Sequence, residues 1–122
     1  MRILLVDDER INILSASKML ERHGHEVTTA VNGAQALEKL AEGDFDCVLM
    51  DLQMPVMDGL EASGKIRDRK TFGDKADIPI IAMTGHSYDD AKEDMDKAGL
   101  TLFVSKPFDM NSLLAALEKA AP

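Results

Sequence analysis

The sequence predicts a single α/β domain with a doubly wound, five-stranded parallel sheet of order 2-1-3-4-5. Three observations carry that prediction. Short apolar runs recur five times, segments of helical spacing fill the intervals, and the connections between them are short. Ile3-Leu4-Leu5-Val6 is the first run, and Cys47-Val48-Leu49-Met50 is the third. Such unbroken apolar stretches read as strands covered on both faces, as in a parallel sheet. The second run, Glu26–Ala30, is weaker, with Val27 its main apolar residue; Ile78–Met83 is the fourth and Leu102-Phe103-Val104 the fifth.

The helices follow from residues that share a face. Ile13, Ala16, Ser17 and Leu20 line up in the first, leaving Ile11, Leu14 and Met19 outside the stripe. Ala36, Leu37 and Leu40 mark the second, and Met57, Leu60 and Ile66 the third. The fourth, near Tyr88–Ala98, has a thin stripe of Ala91, Met95 and Ala98 among many charges; Leu113, Leu114 and Leu117 mark the last. Gly24 and Gly43 follow helices, while Asn32 and Asp109 stand where N-caps belong. Arg67–Asp77, rich in charge, reads as the loosest stretch, and Gly64 costs about 1 kcal/mol against Ala and weakens the end of the third helix. Right-handed crossovers place helices on both faces of the sheet, a flavodoxin-like (βα)5 arrangement with its site at the carboxyl ends of strands one and three.

Composition sets outer bounds. A chain of 122 residues is one domain's worth and buries about two-thirds of its extended surface, leaving roughly 6,500 Å² accessible. Its net charge of −8 and single Tyr argue against direct nucleic-acid binding. One cysteine, Cys47, excludes a disulfide framework and a multi-cysteine zinc site. No apolar stretch approaches the ~18 residues of a membrane span, and Ile3–Val6 runs straight into Asp7, Asp8 and Glu9 rather than continuing as a secretory signal. A cytoplasmic domain without membrane insertion is the expectation.

The chemistry stands where the strands run out. Strand one ends in Asp7-Asp8, strand three in Asp51, strand four in Thr84, and strand five is followed by Lys106-Pro107. On the predicted topology these side chains converge on one sheet edge. Three crowded carboxylates repel one another unless a cation joins them, and a hard divalent ion such as Mg²⁺ takes oxygen ligands of this kind. An Asp can also act as a nucleophile and become an aspartyl-phosphate. Phosphoryl transfer asks mainly for positioning and for cations around the equatorial oxygens, which Lys106 and the Thr84 hydroxyl can supply. Taken singly, each residue also fits a turn or a surface position; their conjunction at four strand ends points to a phosphoryl-accepting site.

Four segments carry a family resemblance. These are Ile3–Glu9, Asp46–Gly59 (which includes Met54-Pro55 and Asp58-Gly59), Pro79–Thr84, and Ser105-Lys106-Pro107-Phe108. Over essentially the whole of residues 1–122 the sequence resembles the receiver domain of a two-component response regulator, most of all receivers attached to hybrid sensor kinases. The resemblance implies that Asp51 takes a phosphoryl group from a histidine kinase or histidine phosphotransfer protein. It implies Mg²⁺ on Asp7, Asp8 and Asp51, with the backbone carbonyl of Gln53 as a further ligand. Thr84 and Lys106 then contact the phosphoryl oxygens, Phe103 is the switch aromatic, Gln53 and His86 tune dephosphorylation, and the Lys106–Pro107 peptide is cis. Gly85 stands where Ala is usual, and Phe103 where Tyr is often found.

The implied function is a phosphorelay switch that alters the surface of the fourth helix, fifth strand and fifth helix toward a downstream effector protein or domain. It is not an enzyme beyond its own phosphorylation and slow autodephosphorylation. The alternative is a phosphorylation-independent interaction module on the same fold, whose mark would be a missing Asp or Lys. A flavin- or nucleotide-binding domain would want glycines where Asp7-Asp8-Glu9 stand, and a phosphohydrolase would want an acid where Gln53 stands.

Overall fold

The structure, a computed structural model, describes every residue except 53–56, 86–87, 107–108 and 121–122, and all side chains of the helices and strands but that of Tyr88. Five strands pair in parallel: β1 (Arg2–Val6), β2 (Glu26–Ala30), β3 (Cys47–Asp51), β4 (Ile80–Thr84) and β5 (Leu102–Ser105). Their order is β2-β1-β3-β4-β5, as the sequence predicts. β3 and β4 are buried along their whole length, and β1 is exposed only at Arg2. That is the physical reason their sequences read as unbroken apolar runs. β2 lies at the sheet edge and is only half-buried, which accounts for its weak signal.

Alternation along the strands splits the core in two. Leu4, Val6, Val48, Met50, Ile80 and Ala82 face helices α2 (Gly33–Glu42), α3 (Gly59–Ile66) and α5 (Tyr88–Lys97). Ile3, Leu5, Cys47, Leu49, Ile81 and Met83 face α1 (Arg10–Arg22) and α6 (Met110–Ala120). Each fully buried aliphatic side chain contributes about 1.5–3 kcal/mol of transfer free energy, so the two layers hold the strand ends firmly. The accessible surface is 6679 Å², close to the value expected from size alone.

The caps hold where the sequence places them. Asn32 Oδ1 accepts from the Gln35 N–H at 2.8 Å, and Gln35 Oε1 accepts in turn from the Val31 N–H. Asp109 Oδ1 accepts from the Ser112 N–H at 2.8 Å, and the backbone donor at Ser112 holds this exposed carboxyl below the usual carboxylate range.

Three expectations need correction. β4 begins at Ile80 rather than Ile78: Pro79 has no N–H to donate, although its carbonyl accepts from Val48. α3 begins at Gly59 after its N-cap Asp58, which leaves Met57 outside the helix. Gly64 is exposed, faces open space and lies two residues before the end of α3 at Ile66. Arg67–Asp77 is not loose. It forms a helical turn, α4 (Arg69–Phe72), and a 3-10 turn (Gly73–Asp77). Several of its charges are engaged: Asp68 accepts from the Lys70 N–H, Arg69 pairs with Asp77, and Lys75 Nζ donates to the carbonyls of Leu40 and Gly43 at 2.9 Å each, closing the end of α2.

Candidate functional site

Asp7 follows β1 directly, and Asp51 and Thr84 end β3 and β4. Lys106 follows β5, and its backbone N–H donates to the Thr84 carbonyl at 2.8 Å. The expected convergence is present. Lys106 Nζ lies 2.9 Å from Asp7 Oδ2 and 3.1 Å from Asp51 Oδ2. Asp7 and Asp51 are 2% and 4% exposed, so both carboxylates are withdrawn from water and the ammonium is their nearest counter-charge among the described residues. Burial alone would lower the Lys106 pKa, but the hydrogen bond to Asp7 and the charge of Asp51 outweigh it. The net effect holds it above the usual lysine value. Asp7 Oδ1 accepts from the Glu9 N–H at 2.9 Å, which fixes the carboxylate over the first turn after β1.

Asp8 is exposed and completes the acidic group. One ligand atom from each of Asp7, Asp8 and Asp51 lies within 4.8 Å of the others. Octahedral oxygens about 2.1 Å from a Mg²⁺ ion stand about 3 Å apart when adjacent and about 4.2 Å when opposite, so the three carboxylates fit such an ion with little movement. An all-oxygen donor set of this hardness suits Mg²⁺ rather than zinc or copper.

The backbone around Asp51 is set by close approach. The Leu52 N–H donates to the Met83 carbonyl, and the Gly59 N–H donates to the Leu52 carbonyl at 3.3 Å. A Cβ at position 59 would stand 2.0 Å from the Asp51 carbonyl oxygen, so only glycine lets α3 start this near the acid. Thr84 is 1% exposed. Thr84 pairs with Ser105 and Ala82 with Phe103, which puts Thr84 and the half-buried Phe103 on one face of adjacent strands, a diagonal step apart. Gln53, His86 and the Lys106–Pro107 peptide, each singled out in the sequence, lie outside the described residues.

A sequence model of the response regulator receiver domain matches residues 3–118. The chain belongs to that family. Among curated relatives of this receiver is hybrid signal transduction histidine kinase L of Dictyostelium discoideum, 40% identical over 124 residues that cover 97% of this chain and 7% of that protein. The receiver spans 15% or less of the length of the curated relatives it matches first. Among solved structures, the receiver domain of sensor histidine kinase PA1611 from Pseudomonas aeruginosa is 32% identical. It covers 97% of this chain and 94% of that one with a TM-score of 0.86, and it carries a magnesium ion in its active-site cleft. The receiver domain of the Saccharomyces cerevisiae response regulator Ssk1, solved with the phosphotransfer protein Ypd1, is 28% identical. The match covers 99% of this chain and 88% of that one, with a TM-score of 0.90.

Sequence reasoning assembled the acids, Thr84 and Lys106 but did not pair Lys106 with the carboxylates before a phosphoryl group arrives. Their signal was present, since buried acids at two strand ends need a counter-charge. No helix among the described residues is long and apolar enough to cross a membrane.

Proposed function

We propose that Asp51 is the phosphoacceptor of a Mg²⁺-dependent phosphorelay switch spanning residues 1–122. The observation that carries this reading is the buried Asp7–Lys106–Asp51 cluster, with Asp8 beside it, at the carboxyl edge of a receiver fold. Asp7, Asp8 and Asp51 hold the ion, together with the carbonyl of Gln53, and the bound ion supplies charge neutralisation for the incoming phosphoryl group. An Asp51 carboxylate oxygen forms the new O–P bond as the N–P bond of a phosphohistidine breaks. Lys106 then turns from carboxylate to phosphoryl oxygen, and the Thr84 hydroxyl donates to another. The chain acts as a switch and turns over no external substrate.

Partner assignments extend the same reading. The phosphodonor is a histidine kinase or a histidine phosphotransfer protein. Ile11 and Leu14 on the first turns of α1 and Val31 just after β2 are 76%, 54% and 45% exposed at the same sheet edge, an apolar rim suited to holding the donor over Asp51. Inward movement of Thr84 frees space for Phe103 and changes the face of α5, β5 and α6 that a downstream effector reads, while Gln53 and His86 set the lifetime of the phosphoryl group. The compartment is the cytoplasm, where a lone buried thiol such as Cys47 stays reduced.

The test is intact-mass measurement after incubation with Mg²⁺ and acetyl phosphate. A single phosphoryl adduct that requires Mg²⁺ and disappears in Asp51→Asn is the expected result. No adduct, with beryllofluoride also failing to bind, would make the protein a phosphorylation-independent interaction module.

A further inference from the structure

Arg67 has no part in the chemistry at Asp51, yet it joins three segments of the fold. It caps the end of α3, and its side chain is half-buried. Nη1 donates to the Ala76 carbonyl at 2.8 Å and to the Ile78 carbonyl at 2.7 Å, and Nε donates to the Gly99 carbonyl at 3.3 Å. The first two carbonyls lie on the approach to β4, and the third lies on the turn that closes α5. Burial lowers the pKa of this group, the nearby Asp77 opposes that, and an arginine remains charged throughout the physiological range. Donors set at fixed positions along a planar fork let one side chain reach carbonyls from separate segments, whereas the three donors of a lysine radiate from a single nitrogen.

The α5 end of this clasp is itself tightly closed. The Leu100 N–H donates to the Met95 carbonyl at 2.8 Å and Gly99 has φ +75°, a left-handed closure that favours glycine. A Cβ added to Gly99 would press on Arg67 Cγ and Nε at 3.4 Å. Within α5 Ala91 and Met95 are 8% and 1% exposed, and the turn that follows the helix adds the buried Ala98 and Leu100. The helix begins four positions after Thr84. A displacement that starts at Thr84 therefore meets the N-terminal end of α5 first, with the far end closed by the buried Leu100 turn and held by Arg67.

We infer that Arg67 is the fixed pivot of the switch: phosphorylation swings the N-terminal half of α5 about the Arg67–Gly99 clasp instead of moving the helix as a body. The inference rests on the phosphoacceptor reading above and adds which part of α5 a partner can use as a signal. The surface near Asp89 and Lys92 changes with phosphorylation, and the surface near Asp96 and Lys97 stays constant. Arg67 is thus a positioning residue and touches no reacting atom.

Hydrogen exchange read by mass spectrometry, with and without beryllofluoride in Mg²⁺, tests this on the unaltered chain. Exchange across residues 88–92 is expected to change by about threefold or more while residues 95–100 hold constant, since local openings differ along one helix. In Arg67→Gln the change is expected to spread into 95–100, and Arg67→Lys, which keeps the charge but not the fork, should resemble Arg67→Gln. Equal changes at both ends of α5 in the unaltered chain would overturn the pivot while leaving the phosphoacceptor reading intact. An unchanged pattern in folded Arg67→Gln would do the same. If beryllofluoride produces no change anywhere and acetyl phosphate gives no adduct, both readings fall.

Discussion

Removing the Lys106 charge isolates what holds the acidic site together before any phosphoryl group is present. Lys106→Met keeps most of the side chain's apolar length and deletes the ammonium that stands 2.9 Å from Asp7 and 3.1 Å from Asp51. At an effective dielectric constant of about 20, each contact has a gross Coulomb attraction of about 5–6 kcal/mol. Desolvation of the three groups offsets most of it, and Lys106 keeps 19% of its side chain in solvent, so a net loss of about 2–3 kcal/mol is expected. For a domain of this size that lowers Tm by roughly 8–12 °C. Thermal melts in chelator check the value, and melts in Mg²⁺ check its cause. The ion and the ammonium neutralise the same carboxylates, so Mg²⁺ should stabilise Lys106→Met more than the unaltered chain, by up to about 2.7 kcal/mol at a hundred times its Kd. Melts within about 2 °C of one another in chelator, or equal gains from Mg²⁺, would refute the reasoning. The pH dependence has a definite sign. Burial lowers the Lys106 pKa, the Asp7 hydrogen bond and the Asp51 charge raise it, and the folded value ends above the usual 10.5. Its contribution to stability is therefore complete below 10.5 and is lost as pH climbs from there through the folded value. Lys106→Met should lack that alkaline component.

Two further outcomes follow from buried groups away from the site. Cys47 is fully buried and its thiol is pushed up to about 12 by burial, with the Asp46 charge adding to it, so a thiol reagent at pH 8 should label it only when the chain opens. Labelling of the native chain as fast as that of the urea-unfolded chain would contradict this. Ser63 is fully buried in α3 and its hydroxyl has no partner among the described residues. Ser63→Ala should be neutral or stabilising by up to about 1 kcal/mol in urea titrations; a loss of more than that would mean the hydroxyl is bonded.

The layout of the sheet was legible because strands buried on both faces leave unbroken apolar runs, as in Leu4-Leu5-Val6 and Cys47–Met50. Edge strand β2 left a fainter trace, since Thr28 and Thr29 are only half-buried. The site was legible for a different reason: in a parallel sheet every strand end is a fixed address, and four addresses carried Asp, Asp, Thr and Lys. Arg67–Asp77 was misread because charge reports nothing about what it bonds. Arg67 and Lys75 are committed to carbonyls brought near by the fold, at separations of up to 35 positions, and Asp68 to the N–H of the turn that follows it. Met57 carried the right periodicity for α3, but Asp58 caps the helix and sets its start at Gly59, two residues after Met57. Ile11 and Leu14 fell outside the predicted face of α1, and both are exposed.

The bond between Lys106 and Asp7 joins residues 99 positions apart, one after the first strand of this sheet and the other after the fifth. During synthesis the acids of β1 and β3 exist well before Lys106 does, and they gain their ammonium only when β5 docks against β4. Within this domain the site is complete only once β5 has been made and docked against β4, and until then the acids of β1 and β3 lack the Lys106 ammonium.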